Sequence, residues 1–381
     1  MTDVLANYYE KAFEDAGVGG TIYHAKPSVL ELAGHHRKMK LLDDIDLPGI
    51  ENAVVVDYGV GSWGFGCIFP KLKRGKTLIG FDISQAAINF SRQVSDKDAA
   101  LAGKSVQYLT SSGYDIRLED QAADIVFAGE VIEHIEDSEA FVSELCRITK
   151  PGGLIILTTP NEQPWLYKRE NIRWTMGFEH VALMDEVKLQ QVLQTYLDVV
   201  EVKGFTSSLL PSIDPLIDDE GYAAEIARIG EHVPAYATGL IVVCRRPMTD
   251  KRPMPKREHA IVESGDILAE PAGQDLSLFE SVMGRMAIGE NPVLVVPIPA
   301  GAQKCQLVMW SHPWSGYARI ETAARVVEVD LYNHVGGARR ISLDEADLMG
   351  RDNLRVIATG KKRDESESSQ VIYFRSVFTL A

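Results

Sequence analysis

Short apolar runs alternate with amphipathic stretches through the first two thirds of the chain. Apolar residues recur at helical spacing over residues 3–16 and 27–42, which predicts two helices at the start. Seven β-branched runs then read as strands: AVVVDYG, TLIGFDIS, SVQYL, ADIVFAG, GGLIILTTP, DVVEVKGF and TGLIVVCRR. Amphipathic stretches such as SQAAINFSRQV and SEAFVSELCRIT lie between most of them. Buried strands that alternate with amphipathic helices predict an α/β fold, with a parallel sheet covered on both faces.

The pattern changes at PMTDKRPMPKRE, residues 247–258, where prolines and like charges cluster as they do in linkers. Beyond this stretch, apolar runs recur at intervals of about 10 residues, separated by Gly, Pro, Asn and Asp. They are VLVVPIPA, CQLVMWS, YARIET, RVVEVDLYN, ARRISL, NLRVIATG and VIYFRSVFTL. Such spacing is typical of an antiparallel β-sandwich of the jelly-roll kind.

The length of 381 residues exceeds one ordinary domain, and the patterns divide it into four expected parts. We expect an N-terminal helical cap at 1–50, an α/β domain at 51–247, a connection at 248–290 and a β-sandwich at 291–381. The charge is uneven: the first 250 residues hold 23 basic and 37 acidic residues, and the remainder holds 16 and 17. This acidity disfavours nucleic acid as a partner, because phosphate backbones are bound by basic surfaces.

The cysteines and the apolar runs indicate in which cellular compartment the protein is expected. The four cysteines lie far apart, with neither metal-ligand spacing nor a disulfide framework. No apolar run reaches the roughly 18–20 residues needed to span a bilayer, and the polar N-terminus does not resemble a signal peptide. We therefore expect a reduced, cytoplasmic protein without a membrane span, and a homo-oligomer stays open.

A glycine-rich turn follows the first strand. Gly59, Gly61 and Gly64 satisfy the pattern G-x-G-x-x-G, which suits a sharp strand-to-helix turn and the close approach of a ligand. The second strand ends at Asp82, whose carboxylate can accept hydrogen bonds from a ribose diol. Both features also suit a nicotinamide enzyme. A tight turn without any ligand is the structural alternative for the glycines.

Three further features point to another cofactor class. Asp57 precedes the first glycine by two positions, the fourth strand runs into EVIEHI (130–135), and KPGG at 150–153 leads into LIILTTPN. Together they resemble class I S-adenosylmethionine-dependent methyltransferases, close to the ubiquinone-pathway and sugar O-methyltransferases, over roughly residues 50–247. The resemblance implies a Rossmann-like, doubly wound seven-stranded sheet and S-adenosyl-L-methionine as the cofactor.

The resemblance also implies a cofactor-binding set that follows the ends of the first four strands. Its members are Asp57, Gly59, Gly61, Asp82, Ile83, Ser112, Gly113 and Glu130. By analogy, the two glycines lie under the methionine part of the cofactor and Asp57 helps to bind its amino group. Asp82 takes both ribose hydroxyls, Ile83 packs on the adenine, and the Ser112 turn faces it. Trp63 departs from the family, in which many members have a third glycine at that place.

Two histidines are candidate catalytic bases. Methyl transfer to a hydroxyl is helped by a base that removes its proton, and histidine has a suitable pKa. His134 follows the fourth strand, at the edge where such sheets bind ligands, and His180 lies in the connection after the fifth strand. The structural alternatives are a helix-capping or core role for His134 and a surface-loop position for His180.

A metal-assisted site is the second hypothesis. Glu130, Glu133, His134 and His180 follow the order of the small-RNA 3′-end 2′-O-methyltransferases, in which two Glu and two His hold a divalent metal. The ligand types suit Mg²⁺ or Mn²⁺. The acidic domain does not suit RNA, but another ribose-like diol could use the same set.

The sequence therefore favours a methyltransferase that modifies a hydroxyl on a sugar, a glycan or another small hydroxylated acceptor. The sugar part of this hypothesis comes from the predicted sandwich, which resembles modules attached to carbohydrate-active proteins. Its segment WSHPWSGY (310–317) is rich in aromatic residues, and we expect Trp310 in the core and Trp314 or Tyr317 exposed. A third hypothesis is a non-catalytic binding protein that keeps a vestigial cofactor fold.

Overall fold

The computed structural model describes nine stretches of the chain and divides into two compact units. The described residues are 4–16, 27–169, 180–209, 213–252, 261–263, 268–270, 285–287, 290–333 and 336–380. The first unit, here the α/β unit, comprises residues 2–172 and 183–254. The second, here the β unit, comprises residues 173–182 and 255–381 together with Met1.

One mixed seven-stranded sheet forms the centre of the α/β unit, which confirms the predicted Rossmann-like fold. Its strands are β1 (Val54–Tyr58), β2 (Thr77–Asp82), β3 (Val106–Thr110), β4 (Ala123–Gly129), β5 (Thr149–Pro160), β6 (Asp198–Phe205) and β7 (Gly239–Arg245). Their order is β3-β2-β1-β4-β5-β7-β6. The first five strands are parallel, whereas β7 pairs antiparallel with both β5 and β6. The predicted sheet was parallel throughout, so the direction of β7 is a correction.

Among the residues that the structure describes, seven α-helices accompany the sheet, and the two helices predicted at the start of the chain are confirmed. They are α1 (Val4–Ala16), α2 (Val29–Asp43), α3 (Gln85–Ser95), α4 (Ser138–Ile148), α5 (Trp165–Arg169), α6 (Glu186–Gln194) and α7 (Glu220–Ala227). Ser28 caps α2 in a reciprocal capping box with Glu31, which satisfies two backbone N–H groups. None of the described helices combines the length and the apolarity needed to cross a membrane.

Neighbouring residues of each central strand serve two separate hydrophobic cores. In β1, Val55 belongs to the core that includes Leu41 of α2, and Val56 belongs to the core that includes Phe141 of α4. Successive side chains of a strand point to opposite faces, so both faces of the sheet are covered. This double burial explains why the strands read as continuous apolar runs in the sequence.

Helix α2 packs closely on the chain that follows β6. A Cβ atom placed on Gly34 would lie 2.5 Å from Cα of Ser207 and 2.8 Å from the carbonyl oxygen of Thr206. Glycine therefore lets the helix axis approach the backbone. The same helix face carries Leu30 and Lys38, which are both buried.

The β unit contains two five-stranded antiparallel sheets, as the runs beyond residue 290 predicted. Its strands are β8 (Ile261–Glu263), β9 (Leu268–Glu270), β10 (Arg285–Ala287), β11 (Glu290–Pro297), β12 (Ala302–Ser311), β13 (Tyr317–Glu321), β14 (Val326–Asp330), β15 (Gly337–Leu343), β16 (Asn353–Thr359) and β17 (Val371–Leu380), with one short helix, α8 (Glu345–Leu348). One sheet has the order β10-β17-β12-β15 with β8 also paired to β17, and the other has the order β14-β13-β16-β11-β9. Leu307 of the first sheet and Val356 of the second share one core.

Three short strands, β8 to β10, lie within the predicted connection at 248–290. Each spans three residues, which is too short for an alternating pattern to stand out in the sequence. They pair with β17 and β11, so this stretch supplies edge strands to both sheets. The boundaries between the four predicted parts stay a prediction.

We expect Gly34→Ala to destabilise the α/β unit by about 1–3 kcal/mol, because the added methyl group overlaps the backbone at Ser207. The same substitution at Gly221, near the exposed start of α7, meets only the side chain of Asp219 at 3.3 Å. Gly221→Ala should therefore be neutral or stabilise by about 0.5–1 kcal/mol through helix propensity. Chemical denaturation followed by circular dichroism measures both. Equal effects of the two substitutions would contradict the close packing of α2.

Candidate active site

The predicted cofactor residues all lie at one edge of the sheet. They follow the carboxyl ends of β1, β2, β3 and β4, which are neighbours in the order β3-β2-β1-β4. The chain proceeds outward from β1 in one direction to β3 and then returns to the other side of β1 with β4. Parallel sheets bind ligands in the crevice that opens where the strand order reverses in this way. The structure thus brings the predicted set together.

The loop after β1 adopts a backbone conformation that only glycine accepts readily. Gly59 has φ +80° and Gly61 has φ +60°, both in the left-handed region. A Cβ atom on Gly59 would also overlap the side chain of Val131, which follows β4. The two glycines therefore keep the loop close to the edge of the sheet. The backbone N–H groups of the loop can then donate hydrogen bonds to neighbouring acceptors.

Asp82 joins this loop to the loop after β2. Its Oδ2 accepts a hydrogen bond from the N–H of Gly61 at 2.9 Å, and its Oδ1 accepts one from the N–H of Ser84 at 3.0 Å. The residue is only 6% exposed, and burial raises the pKa of its carboxyl group to about 6. The carboxylate is thus held in place by backbone donors from two sides.

Asp57 stabilises the far end of the same loop. Its Oδ2 accepts a hydrogen bond from the N–H of Gly66 at 2.7 Å. Burial raises the pKa of Asp57 to about 7, and the charge of Asp82 acts in the same direction. This geometry gives Asp57 a structural role in the loop. Its predicted contact with the cofactor amino group stays a prediction.

The turn after β3 lies beside Asp82. The N–H of Ser111 donates to the carbonyl oxygen of Asp82 at 2.9 Å, and Ser112 forms an isolated bridge with Asp115. Gly113 is buried, and a Cβ atom there would overlap the side chain of Ile135. The predicted adenine-facing turn therefore adjoins the predicted ribose-binding carboxylate. Ile83, the predicted adenine contact, is half-buried next to them.

Glu130 ends β4 in a conformation that is unusual for a residue other than glycine. Its φ is +56°, and its N–H donates to the carbonyl oxygen of Thr158 at 2.8 Å. Its Oε1 accepts a hydrogen bond from Thr158 Oγ1 at 2.6 Å and lies 3.3 Å from Nζ of Lys38. The lysine ammonium group supplies the positive charge beside this carboxylate, so Glu130 does not need a metal ion as counter-ion.

Glu133 lies deeper than Glu130. Its Oε2 accepts a hydrogen bond from Thr159 Oγ1 at 2.9 Å, and its side chain is 1% exposed. Burial, with a smaller contribution from the charge of Glu130, raises the pKa of Glu133 well above its usual range. Thr158 and Thr159 are successive residues of β5, and each of them holds one of the two glutamates.

His134 completes a short 3₁₀ helix, Ile132–His134, after β4. Its Nδ1 lies 2.9 Å from the hydroxyl oxygen of Tyr9, and its Nε2 lies 3.7 Å from Oε1 of Glu133. Both nitrogens of the ring therefore face a polar side chain. The position at the sheet edge agrees with the predicted location of a base.

His180, the other predicted base, is buried and belongs to residues 173–182 of the β unit. A surface-loop histidine was the structural alternative for this residue, and its burial is contrary to that alternative. Its catalytic role stays a prediction.

Sequence reasoning missed several residues that contact the crevice. They are Tyr9, Glu10, Lys38, Thr158 and Thr159. Lys38 could have been identified from the sequence, because it follows the buried positions 30 and 34 of α2 at four-residue intervals. The threonines stand in the TTPN motif, which served only to identify the family. Tyr9 and Glu10 left no signal, since helix periodicity does not show what a helix packs against.

Part of the chain matches a known protein family. Residues 56–157 match the family model described as a methyltransferase domain. The ubiquinone biosynthesis O-methyltransferase of Bartonella tribocorum is 30% identical over 119 residues, which cover 31% of this chain and 46% of that protein. The malonyl-[acyl-carrier protein] O-methyltransferase of Yersinia pestis is 32% identical over 106 residues, which cover 28% of this chain and 36% of that protein. The chain thus spans about half or less of the length of these curated relatives.

A solved structure of an S-adenosylmethionine-dependent methyltransferase from Mesorhizobium loti aligns with a TM-score of 0.40 and 17% sequence identity, over 57% of this chain and 100% of that chain. The family match begins within β1 and ends within β5, so it includes the ends of β1 to β4 that form the crevice. Residues 56–157 are therefore similar to a methyltransferase domain.

Proposed function

We propose that this protein is an S-adenosylmethionine-dependent O-methyltransferase that acts on a hydroxyl group of a sugar or glycan. The observation that carries the proposal is the buried carboxylate of Asp82, held between the loops after β1 and β2 by two backbone N–H groups. A fixed carboxylate at this edge is the group that a ribose diol requires. The names of the relatives support an oxygen atom as the methyl acceptor.

The residues of the crevice fit the cofactor chemically. Each carboxylate oxygen of Asp82 accepts one backbone hydrogen bond and has capacity for a second, which a ribose hydroxyl can donate. The glycine loop removes side chains from the space next to this carboxylate. The carboxyl groups of Asp57, Asp82 and Glu130 at the same edge suit a cofactor that carries a cationic sulfonium and an ammonium group. When bound, the cofactor supplies a methyl group bonded to positively charged sulfur.

The protein contributes alignment and proton removal to the reaction. The acceptor oxygen must lie in line with the methyl group, about 3 Å away, which is a matter of orientation in the crevice. His134 lies at this edge, and a histidine can take the proton that the acceptor hydroxyl releases. Lys38 keeps a positive charge beside Glu130, so the acceptor side of the crevice is not uniformly negative.

The sugar part of the proposal is supported by the β unit. Trp314 is 47% exposed, and its indole N–H donates to the carboxylate of Glu367, which fixes the ring plane. An exposed aromatic face of fixed orientation can stack on a sugar ring. Tyr317 is half-buried, and so is Trp310, although it was expected in the core. Trp314 is therefore the residue of this segment that best suits a sugar contact.

We expect Asp82→Ala to weaken binding of S-adenosylhomocysteine at least tenfold, because hydrogen bonds to a charged group are worth about 1.5–3 kcal/mol. Isothermal titration calorimetry measures the dissociation constant. Asp115→Asn, an exposed carboxylate in the neighbouring turn, serves as the control and should leave binding unchanged. A wild-type protein that binds no S-adenosylhomocysteine would favour the non-catalytic hypothesis.

Binding of S-adenosylhomocysteine should weaken about tenfold between pH 7 and pH 5, because the carboxyl group of Asp82, with a pKa of about 6, becomes protonated over this range. Only the ionised form can accept two ribose hydrogen bonds without giving up a backbone donor. Calorimetry at the two pH values measures the ratio. Asp82→Asn should bind weakly at both values. An unchanged pH dependence in Asp82→Asn would assign the effect to another group, such as Asp57, whose pKa is about 7.

Methyl transfer from labelled S-adenosylmethionine should favour sugars and oligosaccharides over phenols in a panel of both. The reaction should continue in the presence of EDTA, because Lys38 already neutralises Glu130. Scintillation counting of the separated products measures both outcomes. Transfer to phenols alone would leave the O-methyltransferase proposal intact and refute its sugar part. Loss of transfer in EDTA, restored by Mg²⁺ or Mn²⁺, would instead support the metal-assisted hypothesis for a diol acceptor.

A further inference from the structure

Helix α1 is attached to two of the loops that form the crevice. The carboxylate of Glu10 accepts a hydrogen bond from Ser84 Oγ at 2.7 Å and from the N–H of Ala86 at 3.1 Å, at the start of α3. The ring of Phe13 reaches the glycine loop, where a Cβ atom on Gly61 would lie 3.9 Å from its Cζ atom. Two independent contacts therefore fix α1 over the loops after β1 and β2.

The same helix reaches the third loop through Tyr9. Its hydroxyl oxygen lies 2.9 Å from Nδ1 of His134, and the two rings meet edge to face with their centroids 5.6 Å apart. A hydrogen bond combined with a perpendicular ring contact fixes the orientation of both side chains. Tyr9 is half-buried, so part of its side chain remains open to the solvent side.

The two nitrogens of His134 differ in what they face. Nε2 is directed at Oε1 of Glu133, a side chain that is 1% exposed, so that edge of the ring looks into the protein. Nδ1 is directed at Tyr9, which is half-buried. A neutral imidazole with its hydrogen on Nε2 accepts the tyrosine hydroxyl at Nδ1. The hydroxyl of Tyr9 is therefore the group that meets Nδ1 of His134.

We propose that Tyr9 is a catalytic residue that passes the acceptor proton to His134, with Glu10 as the positioning residue that keeps α1 docked. The proposal rests on the proposed O-methyltransferase function. The acceptor hydroxyl gives its proton to the oxygen of Tyr9 while the proton of Tyr9 moves to Nδ1 of His134. The acceptor oxygen bonds to the methyl carbon, and the electron pair of the broken carbon–sulfur bond stays on sulfur. The imidazolium ion that results lies next to Glu133.

Tyr9→Phe separates this role from mere packing. The phenyl ring keeps the edge-to-face contact with His134 but cannot relay a proton, so kcat should fall about 100-fold, within the range of general acid–base catalysis. Turnover is measured on the best acceptor of the panel described above. The dissociation constant of S-adenosylhomocysteine should change less than about twofold, since the substitution removes only the hydroxyl group and keeps the ring in place. Tyr222→Phe, exposed on α7, is the matched control and should leave both values unchanged.

Glu10→Ala tests the positioning role. Loss of the contacts to Ser84 and Ala86 should release α1, so that kcat falls and S-adenosylhomocysteine dissociates faster in stopped-flow measurements. This variant thus affects both binding and turnover, whereas Tyr9→Phe affects turnover alone. An unchanged dissociation rate together with an unchanged kcat would overturn the role of Glu10.

An NMR experiment tests the relay without an acceptor substrate. It records the imidazole nitrogen resonances of ¹⁵N-histidine-labelled protein, and the His134→Gln variant assigns the resonance of His134. Tyr9→Phe should shift the Nδ1 resonance of His134, because the nitrogen loses its hydrogen-bond donor. An unchanged resonance, or an unchanged kcat in Tyr9→Phe, would overturn the relay while cofactor binding still supports the proposed function. Wild-type protein that binds no S-adenosylhomocysteine would refute the proposed function and the relay with it.

Discussion

The hydrogen bond from the N–H of Gly61 to the carboxylate of Asp82 is the constraint on which the crevice depends. A buried carboxylate is costly unless it is hydrogen-bonded, and here the donors come from two loops at once. The bond therefore sets the distance between the loops after β1 and β2. Glu10 and Phe13 dock α1 against those same loops, and α1 in turn brings Tyr9 to His134. The geometry around His134 thus depends on contacts made at the loops after β1 and β2.

Most of the fold could be predicted because burial leaves a pattern in the sequence. The inner strands β1, β2, β4, β5 and β7 are largely buried, and they appear as continuous apolar runs, whereas the edge strands β3 and β6 are more exposed. Strand direction leaves no such pattern, since a buried strand reads the same in either direction, and the antiparallel β7 was missed for this reason. The short strands β8 to β10 were missed because three residues do not establish a period.

The candidate site likewise contains residues that the sequence could predict and residues that it could not. Gly59 and Gly61 could be predicted because a positive φ and a close neighbour select glycine, which leaves a visible spacing. Lys38 could have been found as a charged residue on a buried helix face. Tyr9 and Glu10 could not, because their contacts with His134 and Ser84 join residues that lie far apart in the sequence. Only the packing of α1 brings these groups together.

Lys38 belongs to a helix that lies outside the residues matched by the family model. The family match begins at residue 56, whereas Tyr9, Glu10 and Lys38 all precede it. Substitutions at Tyr9 or Lys38 change groups that contact His134 and Glu130 directly, whereas substitutions at Glu10 or Phe13 also change contacts with the loops after β1 and β2. A change in α1 is therefore not confined to one part of the crevice.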